Sequence, residues 1–89
     1  MTIKLQKFGD MLISRPSGRE AYLSAKAYLI TEKDDLIELN FDGVKVLTPS
    51  WIDEFLNLLK KDYPRVKIKF LSSTNLTVIA SLKAIEETE

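Results

Sequence analysis

Residues 36–59, LIELNFDGVKVLTPSWIDEFLNLL, decide the fold. Ile37, Leu39 and Phe41 alternate with Leu36, Glu38 and Asn40, the period-2 signature of a strand with one buried face. Asp42-Gly43 supplies a turn, and Val44 to Leu47 lead on toward a helix. In that helix Ile52, Phe55, Leu56 and Leu59 recur at i, i+3, i+4 and i+7, with Trp51 and Leu58 widening the apolar face. Pro49 suits the first helical position and makes Thr48 the N-cap; Ser50, with Asp53 three residues on, is the alternative cap. Lys60-Lys61 complements the C-terminal end of the dipole, and Pro64 stops the helix. A hydroxyl cluster, Thr48-Pro49-Ser50, thus stands where a buried strand hands over to a helix N-terminus.

Upstream, Ile3 and Leu5 alternate with Lys4 and Gln6 in a strand over 2–8. Gly9-Asp10 then offers a turn, from which Met11 to Ile13 return as the second arm of a hairpin. Pro16 precedes Ser17, and Ser17 with Glu20 fits a capping box, so a helix is expected to begin near Ser17 or Gly18. Its stripe of Ala21, Tyr22, Ala25, Tyr28, Leu29 and Glu32 is small enough to approach the sheet closely, and Lys33-Asp34-Asp35 ends it. Downstream, Val66, Ile68 and Phe70 alternate with Lys67 and Lys69 in a strand whose outer face is basic. Ser72 to Asn75 form a capping loop, and a last helix turns Val78, Ile79, Leu82 and Ile85 inward before a frayed Glu86-Glu87-Thr88-Glu89 tail.

All three clear strands are apolar on one face only, whereas a doubly wound sheet buries both faces. The helices therefore belong on one side. Right-handed crossovers with every helix on that side force the strands into sequential order. The fold class that follows is a two-layer α/β sandwich, strand–(strand)–helix–strand–helix–strand–helix, over a mostly parallel sheet, and residues 1–89 form a single domain.

Composition excludes much. Thirteen basic and thirteen acidic residues leave no net charge, so no long-range field recruits nucleic acid or anionic lipid. The chain has no cysteine and no histidine, which removes disulfides, thiolate nucleophiles, zinc clusters and imidazole bases. Asp53 and Glu54 are adjacent and point in different directions on a helix, which does not suit acid–base work. No glycine-rich phosphate loop is present. The expectation is a non-enzyme with no cofactor and no metal. Nothing reads as a signal peptide or membrane span, so a soluble, cytoplasmic protein with no membrane partner is expected. At 89 residues the core is small, and docking on another protein or a homodimer fits that size.

Two separated runs carry a family resemblance: FGDMLISRPSG at 8–18 and LNFDGVKVLTPSWIDEF at 39–55. Together they resemble the STAS-like domains of bacteria and archaea and, more distantly, the anti-sigma factor antagonists, whose fold is a β-α superhelix of the kind outlined above. In the antagonists a serine at the N-terminus of the second long helix is phosphorylated by a kinase that doubles as an anti-sigma factor. Ser50 falls on that position, and Asp53 and Glu54 fall on shared ones; the usual Asp-Ser-Ser-Gly stands here as Thr48-Pro49-Ser50-Trp51. The resemblance implies a kinase-like ATPase of the GHKL type as partner, and a signalling module acting through protein–protein contacts.

Two readings stand at each candidate. Ser50 is a phosphorylation site or a cap. Trp51 is an interface anchor or a core residue beside Phe55. Asp53 and Glu54 contact a partner or complement the helix dipole. Ser14 and Arg15, before the first helix, offer a fork for carboxylate or phosphate or brace a loop. Lys60, Lys61, Arg65, Lys67 and Lys69 are the only basic cluster, a nucleic-acid accessory surface or simply a solvated face. A purely structural, self-associating domain is the alternative to the regulatory one.

Overall fold

Alternation of Ile37 and Leu39 with polar neighbours becomes, in the computed structural model, the middle of a three-stranded parallel sheet. The structure describes residues 1–87. In chain order they form β1 (Thr2–Lys4), a 3-10 helix (Leu5–Phe8), β2 (Met11–Leu12), α1 (Arg15–Tyr28), β3 (Leu36–Asn40), β4 (Val46–Leu47), α2 (Pro49–Asp62), β5 (Lys67–Phe70) and α3 (Leu76–Glu87). The main sheet runs β1-β3-β5, all parallel, with Ile3 opposite Leu39 and Ile37 opposite Ile68. The strands follow sequential order, as one-sided crossovers require. Ile3, Ile37 and Leu39 are buried with Tyr22, Trp51, Phe55 and Val78 in one apolar cluster. Thr2, Lys4, Lys67 and Lys69 stand exposed on the opposite face. The molecule is thus an α/β sandwich whose three helices cover one face of the sheet. No described helix is long and apolar enough to cross a membrane.

The expected hairpin does not form. The 3-10 helix over Leu5–Phe8, closed by Gly9 N to Gln6 O at 2.9 Å, redirects the chain before Met11. β2 then runs parallel to β4, with Met11 opposite Val46 and Leu12 opposite Leu47, in a second, two-stranded sheet. The outer edge of β4 is closed by α3: Thr77 Oγ1 accepts from Leu47 N at 3.1 Å and Ser81 Oγ donates to Leu47 O at 2.9 Å. Two hydroxyls here replace a third strand, satisfying backbone groups that burial would otherwise leave unpaired.

α1 begins three residues earlier than the capping box implied. Ser14, not Ser17, is its N-cap, accepting from Ser17 N at 3.2 Å. It also stops at Tyr28, because Leu29 N and Ile30 N both turn back to Ala25 O and Ile30 enters the core. Tyr28, expected on the buried stripe, is 84% exposed. The small residues serve α2 rather than the sheet: a Cβ on Gly18 would lie 2.5 Å from the Trp51 carbonyl oxygen, so α1 and α2 cross almost backbone to backbone there. The Asp42-Gly43 turn forms as expected, with Gly43 at φ +83°, a region that favours glycine, and Asn40 Oδ1 accepting from Asp42 N at 2.8 Å.

At the C-terminal end Asn75 Oδ1 accepts from Thr77 N at 2.8 Å and Val78 N at 3.3 Å, so the expected capping loop caps α3. Val78 is buried and Leu82 and Ile85 are packed against the core, while Ile79 is 48% exposed rather than inward. α3 runs on through Glu87; the rest of the tail expected to fray, 88–89, lies outside the described residues.

Candidate functional site

Because β2 and β4 are parallel neighbours and each leads directly into a helix, the N-termini of α1 and α2 come to the same end of the molecule. Thr48 is the stitch between them. Its backbone N donates to Leu12 O at 3.0 Å, its hydroxyl donates to Ile13 O, and Oγ1 accepts from Trp51 N at 3.3 Å as the cap of α2. Ser50 is therefore not the cap. It is exposed, in the first turn of α2, and its hydroxyl makes no hydrogen bond among the described residues.

Trp51 corrects the interface reading. Its side chain is 0% exposed, stacked on Phe55 with ring centroids 5.3 Å apart and planes 9° from parallel, and Nε1 donates to Ser17 Oγ at 3.2 Å. A group so enclosed offers a partner nothing to touch; it supports the surface from beneath. The Ser17 hydroxyl that the capping box would have used is spent on this indole, a partnership across 34 residues that no local pattern announces.

Asp53 and Glu54 lie beyond the first turn of α2, so neither serves its dipole as expected. Instead both meet one atom of Arg15: Nη1 stands 2.9 Å from Asp53 Oδ2 and 3.2 Å from Glu54 Oε1. Hydrogen bonds to these carboxylates, Asp53 first, raise the guanidinium pKa further above its usual value. The fork expected to take a carboxylate or a phosphate holds the chain's own carboxylates, and in doing so ties α1 to α2 on the turn next to Ser50. Thr48, Ser50, Asp53, Glu54, Ser14 and Arg15 are thus gathered at one end, with Trp51 beneath.

The opposite ends of α1 and α2 are joined by a second network, spanning 36 to 40 residues and invisible to any local pattern. Tyr22 Oη donates to Asp62 Oδ2 at 2.6 Å and Lys26 Nζ reaches the same oxygen at 3.0 Å. Burial, then this hydrogen bond, pushes the Tyr22 phenol well above its usual range, while the Tyr22 hydroxyl and then Lys26 hold the Asp62 carboxyl down. The basic cluster is divided by the sheet: Lys67 and Lys69 stand on the open face, whereas Lys60 lines a groove on the helix side with Leu56, Ile68 and Phe70.

Comparison with protein-family models, curated proteins and solved structures finds no match to this chain. The fold and the site together define a small α/β sandwich with paired helix N-termini at one end.

Proposed function

We propose that the chain is a non-catalytic regulatory binding module of the STAS-like kind, similar to the anti-sigma factor antagonists, whose Ser50 end docks on a kinase-like ATPase and is switched there by phosphorylation. The observation that carries this reading is the state of Ser50: exposed, at a helix N-terminus, and without structural employment, since Thr48 does the capping. Among the described residues the Ser50 hydroxyl hydrogen-bonds to no base, and the nearby Asp53 and Glu54 are engaged by Arg15, so it is not activated as a nucleophile from within. It is instead open to a group delivered by another protein.

A phosphate adds about −1.5 to −2 charges, and the first turn of a helix favours anions. Asp53 and Glu54 stand three and four residues on, the same helical face. Arg15, paired with both, offsets one of their two charges and leaves the turn less hostile to a phosphate than the bare sequence implies. The β-α superhelix of the STAS-like domains agrees with an all-parallel β1-β3-β5 sheet covered on one side.

The test is a pull-down and thermal-shift comparison against GHKL-type ATPases encoded beside this chain. Binding that Ser50→Asp weakens and Ser50→Ala preserves is expected. No binding, or binding indifferent to Ser50→Asp, contradicts the proposal. Trp51→Ala is uninformative for docking, because it empties the core.

A further inference from the structure

At the far side of the sheet β5 is an edge strand, and its cover is thinner than that of its neighbour. Ile37 and Leu39 are 0% exposed, yet Ile68 and Phe70, opposite them in register, are only partly buried. Two grooves explain the difference. One, of about 390 Å³, runs between α2 and β5 along Leu56, Val66, Ile68 and Phe70. The other, of about 450 Å³, lies between β5 and α3 at Phe70, Val78, Ile79 and Leu82. They share Phe70, so apolar side chains follow the strand along both grooves, flanked by Lys60 in the first and by Lys83 and Glu86 in the second.

The backbone there is also unspent. Lys67 N donates to Asp35 O at 2.9 Å and Leu71 N to Leu39 O at 3.0 Å, so the odd-numbered amides face β3. By strand alternation Ile68 and Phe70 turn theirs to the open edge. On the other face Lys67 and Lys69 are exposed and form no ion pair among the described residues; Glu38, opposite Lys69, takes its hydrogen bond from Thr2 at 3.2 Å.

We infer that the β5 edge binds an extended segment of a partner protein in which apolar and acidic residues alternate, added to the sheet as a fourth strand. Its backbone pairs with Ile68 and Phe70, its apolar side chains enter the grooves, and its carboxylates lie beside Lys67 and Lys69. A second copy of this chain is the wrong occupant, because two-fold pairing of β5 with itself sets lysines beside lysines. Nucleic acid fits poorly too, since the apolar lining of the grooves is aliphatic apart from Phe70 and gives bases no row of aromatic faces to stack on.

The probe is a fluorescent, N-acetylated heptapeptide alternating glutamate with valine, compared with a lysine–valine heptapeptide and with a glutamate–valine peptide in block order. Anisotropy should show the alternating acidic peptide binding best, and amide NMR should place the largest shifts at Ile68 and Phe70. Lys67→Glu with Lys69→Glu should weaken that peptide about tenfold, the scale of two exposed ion pairs lost and reversed, and favour the lysine peptide. Equal binding of all three peptides overturns the inference, as do shifts away from β5 in the unaltered chain. Tighter binding of a single-stranded oligonucleotide, abolished by the same substitutions, also overturns it.

Discussion

The carbonyl oxygen of Trp51 passes so close to Gly18 that a Cβ at position 18 would stand 2.5 Å from it. In an exposed helix, Gly→Ala stabilises by about 1 kcal/mol through propensity. Here the obstacle is backbone, which cannot rotate aside, and overpacking costs about 1–3 kcal/mol. Gly18→Ala is therefore predicted to destabilise the fold and to lower the urea midpoint followed by fluorescence of Trp51, the single tryptophan. A raised midpoint would show that α1 and α2 do not cross at this contact.

Thr48 and Ser50 are two residues apart and predicted to behave oppositely. Thr48→Ala removes a cap and the bond to Ile13, and caps are worth about 0.5–2 kcal/mol. Ser50→Ala touches an exposed hydroxyl with no bond to lose and should stay within about 0.5 kcal/mol of the parent. Chemical denaturation of both variants checks the contrast; equal losses would make Ser50 a structural residue.

The Tyr22–Lys26–Asp62 network predicts a pH signature. The Asp62 carboxyl is held down by the Tyr22 hydroxyl and Lys26. It contributes stability that is complete above an unfolded pKa of about 3.9 and is lost as pH falls through the lower folded value. Tyr22, raised by burial and its bond to Asp62, and Lys26, raised by its bond to Asp62, act in the opposite sense. Their contributions are complete below unfolded values of about 10 and are lost as pH rises through the higher folded values. Asp62→Asn should flatten the acid limb below about pH 4 and shrink the alkaline one. Unfolding midpoints across both ranges measure this, and an unchanged acid limb would mean Asp62 is not bonded as described.

Much of the architecture was legible because it rests on periodicity. Ile37 and Leu39, or Ile52, Phe55, Leu56 and Leu59, repeat often enough to declare a face, and one-faced strands with handed crossovers order β1, β3 and β5 without further data. Thr48 as cap followed from Pro49 beside it. What stayed hidden was either too short or too distant. Met11–Leu12 and Val46–Leu47 are two-residue strands with no period, so Gly9-Asp10 read as a hairpin turn. Ser17 resembled a cap because its true partner, the Trp51 indole, lies 34 residues away. The reach of Arg15 to Asp53 and Glu54 crosses between helices in the same way.

The regulatory role we propose for Ser50 is tested by incubating the chain with a GHKL-type ATPase encoded beside it and ATP, and locating any phosphate by mass spectrometry. A single phosphate on Ser50, absent in Ser50→Ala while that variant still folds, is the predicted result. A phosphate elsewhere, or none on Ser50 from an ATPase that binds the chain, would contradict it.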